Sequence, residues 1–579
     1  MAVRRGIWLV IGFILIAVAF SVAGLVVTAF LVGRPPQVPS NSTLVLRLGG
    51  DLRETEPGGL LGAFTEAPPT VRSVVDALRK AKVDRRVSSV VIRPAGNAAL
   101  WAKVQEVRDA ILDFKTSDKP IVAFLEGGGD QEFYLASACD RVFLVPTGSV
   151  DLTGLASYEL FLRGTLDKVG AYPDVLHIGE YKTAANTFSE YTFTPEHREM
   201  AESLNRDLYM QLVRGIAEGR QKTEAEVRAL IDHGPFHAAE AVRAGLVDEL
   251  AYEDELDDKV DLAPGDVRWL EFRDYRVSPT SLGLNRGPRI AVLYAVGVIA
   301  SGESRSDGSQ QVVGSDTILR YLRTARADNS VRAIVLRIDS PGGSAVASDV
   351  IWREVELTRQ IKPVIASMSD VAASGGYYIA MAATRIVAQP ATLTGSIGVV
   401  SMKFVIDGTL KNLGINVEAV ADGQHATMYS PVRPFTPEER RKLTAQMQVI
   451  YDAFVEKAAA GRNATPQQID ALARGRVWTG LQAKENGLVD ELGGLQQALR
   501  VARQEAGIDP GAEVELVIYP PRRTFFDRLQ TPFGALDGTA VLSAWLGLRE
   551  ERTFQAVTAP LRLFRRGEPL AIMPNVFGR

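Results

Sequence analysis

The chain is one unit written twice, and no other feature constrains its fold as strongly. Val87-Ser88-Ser89-Val90-Val91-Ile92-Arg93 reads like Val331-Arg332-Ala333-Ile334-Val335-Leu336-Arg337. Tyr134-Leu135-Ala136 returns as Tyr378-Ile379-Ala380, and Phe193-Thr194-Pro195-Glu196 as Phe435-Thr436-Pro437-Glu438. Gly245-Leu246-Val247-Asp248-Glu249-Leu250 returns as Gly487-Leu488-Val489-Asp490-Glu491-Leu492. The matches keep their order and nearly constant spacing, the mark of a tandem duplication. The copies run over residues 42–262 and 288–507, joined by 263–287 with Pro264, Pro279 and Pro288 as breakers. A chain of 579 residues needs more than one core, and two like units supply them.

Within each copy, short β-branched runs alternate with longer amphipathic stretches. In the second copy, residues 290–294, 333–338, 364–368 and 385–388 are predicted strands; 316–327, 345–360, 374–383 and 436–461 are predicted helices. Such alternation makes βαβ units and a mainly parallel sheet, so the fold class is α/β. Residues 508–579 have no counterpart in the first copy and mix basic with aromatic side chains, among them Arg522, Arg523, Phe525 and Phe526. A partly ordered tail of unknown role is expected there, with membrane-surface contact as the other reading.

Residues 6–33 carry no charge. As a helix they would span roughly 42 Å, more than the ~30 Å hydrocarbon core. The run continues past Ser21-Val22-Ala23, where a cleavable signal would end, so an uncleaved single-pass anchor over residues 1–35 is expected. Arg4 and Arg5 place the N-terminus in the cytoplasm and the body in the periplasm or exterior. Residues 36–41 are expected to form a Pro-rich spacer. The net charge of −4 gives no nucleic-acid footprint. Five histidines and one cysteine without ligand spacing argue for no metal and no cofactor.

The copies differ where chemistry would sit. Ser374 follows a predicted strand and opens a predicted helix, in Ala372-Ala373-Ser374-Gly375-Gly376. That position suits an exposed nucleophile and equally an ordinary helix N-cap. The first copy has Asp130 in its place. Asp339-Ser340-Pro341-Gly342-Gly343, also at a strand end, reads as half of an oxyanion hole or as a plain tight turn. A serine nucleophile needs a base, and no Asp/His spacing offers a triad. Lys182, in Gly179-Glu180-Tyr181-Lys182, has no counterpart lysine in Asp422-Gly423-Gln424-His425. One copy lacks the serine and the other the lysine. Complementary loss suggests a composite site, although a lone lysine is usually a solvated surface charge.

These residues resemble signal peptide peptidase A in its long, double-domain protease IV form. The resemblance rests on the Ser374 and Asp339–Gly343 stretches, Thr394-Gly395-Ser396-Ile397-Gly398, Gly475-Arg476-Val477-Trp478 and Gly487-Leu488-Val489-Asp490, and it covers residues 42–507. It implies a tandem ClpP/crotonase-like fold behind the anchor and a membrane-bound serine endopeptidase that degrades cleaved signal peptides. It assigns Ser374 as nucleophile, Lys182 as general base and acid, and Ser396 as the hydroxyl that orients Lys182. The N–H of Gly375, with one from Gly342 or Gly343, would form the oxyanion hole. It also implies a homotetramer. Ser369 stands where the family often has glycine, and both are small. Two other readings compete: a crotonase-like acyl-transfer enzyme, and a tethered scaffold without catalysis. The scaffold places Lys182 Nζ more than about 4 Å from Ser374 Oγ.

Overall fold

The computed structural model describes residues 38–521 apart from 51, 56–68, 98, 260–267 and 307–310, together with 569–573, 577–578 and isolated positions between 12 and 24. The predicted anchor at 6–33 lies outside these residues. No helix among the described residues is long and apolar enough to cross a membrane.

Two mainly parallel sheets form the body. The first has the order Glu249–Leu250, Arg141–Leu144, Ile121–Leu125, Val87–Asn97, Ser42–Gly50, Arg268–Glu271. The second has the order Glu491–Leu492, Arg385–Ala388, Val364–Ala373, Val331–Ser340, Arg289–Val296, Glu515–Tyr519. Strand for strand the orders correspond, and every one of these pairings is parallel. Parallel strands are covered on both faces, which is why runs such as Ile121–Leu125 and 364–368 are apolar at every position or nearly so. The long helices match too. Pro195–Arg220 and Pro437–Arg462 each start with a Thr N-cap and Pro in the first turn, and each ends on a left-handed residue, Gln221 or Asn463.

Two boundaries differ from the sequence reading. The Arg268–Glu271 strand, placed in the linker, pairs with Ser42–Gly50 and closes the edge of the first sheet. The Glu515–Tyr519 strand, placed in a tail without counterpart, does the same beside Arg289–Val296 in the second. Each unit therefore ends on an edge strand that hydrophobic pattern alone marks poorly. The strand expected at 364–368 also runs on to Ala373. A register shift between Ile338 and Ser340 lets its last residues turn away from Arg385–Ala388 and pair with Leu393–Gly395.

The halves are joined by strand pairing and by a helix. Tyr172–Ile178 of the first half runs antiparallel to Val399–Val405 of the second. Helix Trp101–Lys115 lies between the halves, so even Lys103, Gln105, Glu106 and Arg108 are buried. Its N-cap, Leu100, has no side chain able to accept a hydrogen bond. Asp370 of the second half supplies the cap, its carboxylate accepting from Leu100 N at 3.1 Å and Lys103 N at 2.9 Å. The one cysteine, Cys139, is buried in the first core, where burial pushes its thiol up to about 12.

Candidate active site

Ser374 is the N-cap of a short helix, Gly375–Ala380, at the end of the Val364–Ala373 strand. Its backbone sits at φ 55, ψ −112, and its side chain makes no capping bond. A non-glycine residue held there costs of order 1–3 kcal/mol. Ser374 N donates to Gly395 O at 2.7 Å, and Ser374 O accepts from Tyr378 N at 2.8 Å. The strained elbow turns the hydroxyl away from the helix it would otherwise cap.

Lys182 reaches this hydroxyl from the other half. The pairing of Ile178 with Val399 brings the chain before Lys182 beside the chain after Ser396. Tyr181 N then donates to Arg474 O at 2.9 Å. The approach leaves no room for side chains: a Cβ on Gly179 would overlap Arg474, and one on Gly475 would overlap the Lys182 backbone. Both glycines have positive φ, so the conformation as well as the space requires them.

Lys182 Nζ lies 2.7 Å from Ser374 Oγ, 2.8 Å from Ser396 O and 3.0 Å from Ser396 Oγ. Lys182 is 1% exposed, and Ser374 and Ser396 are fully buried. Burial pulls the lysine pKa well below its usual value, and no carboxylate among the described residues opposes it. A neutral amine against a serine hydroxyl can take its proton. The separation excludes the distance that a non-catalytic scaffold requires.

The three glycines expected at the oxyanion hole come together. A Cβ added to Gly375 would lie 3.1 Å from Gly342 Cα and from Gly343 N. Gly342 N donates to Ser340 Oγ at 3.2 Å. In the first half the elbow is gone. The corresponding helix, Asp130–Ala136, is preceded by Gly129 at φ −89, and the Asp130 carboxylate accepts from Gly154 N at 3.1 Å. Burial pushes Asp130 up to about 6.

A cluster of charges behind the site has no precedent in the sequence reading. Lys103 Nζ contacts Asp339 at 2.7 Å and Asp370 at 3.2 Å, tying together the strands that carry the Pro-Gly-Gly turn and the serine. Beside it, Arg337 pairs with Glu54 and Glu106, each at 2.7 Å. Burial pushes the Glu54 carboxyl up, but the Arg337 guanidinium outweighs it and holds Glu54 at about 2. Ser369 does more than stay small: its Oγ accepts from Arg337 Nη2 at 3.2 Å. The four ion pairs cross between the halves. The sequence signal was the bare presence of charges inside strand patterns, at Arg337, Asp339 and Asp370.

The model for peptidase family S49 matches residues 113–263 and 356–509, one stretch in each half. The chain is 37% identical over 446 residues to the serine protease SPPA, chloroplastic, of Arabidopsis thaliana, covering 76% of this chain and 66% of that protein. It is 34% identical over 449 residues to protease 4 of Salmonella typhi, covering 75% and 71%. To protease 4 of Haemophilus influenzae it is 32% identical over 526 residues, covering 85% and 83%.

Proposed function

The chain belongs to peptidase family S49 and is a serine peptidase, and from that premise we propose that it degrades cleaved signal peptides with Ser374 as nucleophile and Lys182 as general base. The observation that carries the assignment is the 2.7 Å contact between Lys182 Nζ and Ser374 Oγ in a buried pocket without a carboxylate partner for the lysine. Neutral Lys182 takes the Ser374 proton as Oγ attacks the scissile carbonyl. The tetrahedral oxyanion is held by the N–H of Gly375 with that of Gly342 or Gly343. The Lys182 ammonium then protonates the departing amine, and water, activated by the same amine, releases the acyl group from Ser374. Ser396 orients Nζ throughout through its hydroxyl and carbonyl oxygens.

The resemblance adds to this proposal a duplicated ClpP/crotonase-like architecture, an N-terminal single-pass anchor with the body outside the cytoplasm, and a homotetramer. Apolar peptides suit a site of this kind, since it is buried and disfavours charge. The test is an acylating serine probe and an apolar signal-peptide substrate, applied to the wild type, Ser374→Ala and Lys182→Met. Labelling at Ser374 and loss of cleavage in both variants are expected. Unchanged cleavage in either variant overturns the assignment.

A further inference from the structure

One stretch of the second half touches both sides of the lysine's seat. Arg474 O accepts from Tyr181 N at 2.9 Å, and Arg476 O accepts from Ser396 N at 2.7 Å. Ser396 sits in the left-handed region at φ 51, a conformation a serine keeps only when its surroundings hold it. The Arg476 side chain adds a second hold. Its guanidinium lies 4.9 Å from the centre of the Tyr181 ring and 4.5 Å from that of Trp478. Nη1 donates to Glu199 at 2.7 Å, and the Tyr181 hydroxyl donates to the same carboxylate at 2.9 Å. Arg476 Nε is buried and has no hydrogen-bond partner among the described residues. Two ring faces and one carboxylate therefore hold the cation, a place that suits a planar guanidinium better than an ammonium. Trp478 is fixed in turn by its indole N–H, which donates to Leu472 O at 2.9 Å.

The halves differ here as they do at the dyad. The scaffold repeats: Val477–Thr479 runs antiparallel to Leu393–Gly395 as Phe236–His237 does to Ser149–Asp151. On that register the first half has Gly234 at the place of Arg476. The long helices correspond from Pro195 and Pro437, and the second half has Arg441 at the place of Glu199. Tyr181 and Glu199 come from one half, Arg476 and Trp478 from the other, so the clamp exists only where the halves meet. We propose that Arg476 is a positioning residue for the general base: wedged between Tyr181 and Trp478 and tied to Glu199, it holds the chain beside Lys182 so that Nζ stays on Ser374 Oγ. This rests on the dyad reading given above. Arg476 acts through Tyr181 and Ser396 and not on the reacting atoms. The 2.7 Å contact leaves little slack, since a displacement of about 1 Å can cost a rate of order a hundredfold. Its carbonyl bond to Ser396 survives any replacement at 476, so substitution tests the side chain alone.

The experiment replaces Arg476 with Met in the full-length chain, which keeps the apolar contact with both rings and removes the charge, and reads cleavage of a fluorogenic apolar peptide. The expected result is kcat lower by about ten- to a hundredfold with KM little changed. The rising limb of kcat/KM against pH should also move up, because a loosened loop lets water reach Nζ and eases its protonation. The limb should move in Arg476→Lys as well, which keeps the cation but not the stacked plane, so the shift reports position and not a lost charge. Tyr181→Ala should match Arg476→Met, and the double variant should be no slower than the slower single one. A limb that stays at the wild-type pH in Arg476→Met overturns the positioning role, whether or not kcat falls. So does a double variant in which the two losses multiply. Hydrogen exchange read by mass spectrometry on Ser374→Ala chains needs no catalysis. Adding Arg476→Met should speed exchange over residues 179–183 by about tenfold or more and leave the rest of the chain as it was. Unchanged protection there overturns the clamp, and faster exchange supports it, whatever the cleavage assay shows. Cleavage that survives in Lys182→Met would instead sink the dyad reading and leave the exchange result standing.

Discussion

Two lysines leave the first half and end buried against the second, in pockets that treat the same side chain in opposite ways. Lys103 meets two carboxylates, Asp339 and Asp370. Burial works against its charge, but the carboxylates outweigh burial and hold its pKa above the usual value. Among the described residues Lys182 meets only hydroxyl and carbonyl oxygens from Ser374 and Ser396, and burial pulls its pKa down. Lys103 is therefore held as an ammonium that binds strands together, whereas Lys182 is pulled toward the neutral amine that a general base requires. The difference teaches that burial does not decide what a lysine does; the sign of its nearest neighbours does.

The sharpest way to break this comparison is to give Lys182 the partner it lacks. Ser396→Asp, at a residue already in the left-handed region where Asp is tolerated, should hold Lys182 charged. Cleavage should fall by at least about 10⁴-fold, as it should in Lys182→Met, because the base is lost in either variant. In the wild type, kcat/KM should climb with pH through the depressed lysine pKa, well below the ordinary ~10.4. A rising limb that begins only near pH 10 would sink the neutral-lysine account.

Next in size is Lys103→Met. It leaves two buried carboxylates unpaired and should cost about 3–5 kcal/mol in chemical denaturation. The Lys103 pKa is raised on folding, so its contribution is complete below the ordinary lysine pKa and fades only as pH rises through the folded value.

Ser396→Ala is a smaller change. The Ser396 carbonyl still accepts from Nζ and only the hydroxyl is gone, so activity should drop about tenfold. Smallest is the effect of Lys182→Met on stability, and its sign is the reverse of that at Lys103. The unfolded chain holds the Lys182 proton to higher pH than the folded one, so the lysine costs stability at neutral pH and the cost shrinks as pH rises. Scanning calorimetry at pH 7 should find the melting temperature about 2–4 °C higher in the inactive variant. A lower value would place Lys182 with Lys103, as a structural charge.

The sequence made the composite site legible because the duplication served as its own control. Ser374 without a partner serine, and Lys182 without a partner lysine, stood out against positions that did repeat. Local patterns also located four second-half strands and four helices to within a few residues, apart from the run through Ser369, Asp370 and Val371, where polar residues hid a continuing strand; shorter elements and the Val399–Val405 strand and Leu495–Glu505 helix went unread. What escaped depended on how the halves dock. Nothing near Asp370 says that it caps a helix hundreds of residues earlier, and nothing near Arg337 says that Glu54 and Glu106 will reach it. The Glu515–Tyr519 strand escaped because a short run before Pro520 and Pro521 looks like the start of an irregular tail.

The Asp370 cap on helix Trp101–Lys115 also bears on when the enzyme becomes active. During synthesis the first half emerges before residue 370 exists, so this helix waits with open N–H groups, and Lys182 waits without a serine. A chain that stops short of residue 370 has neither this cap nor, on the proposed mechanism, a nucleophile. On the same mechanism, proteolytic competence arrives only once both halves have been made and have met.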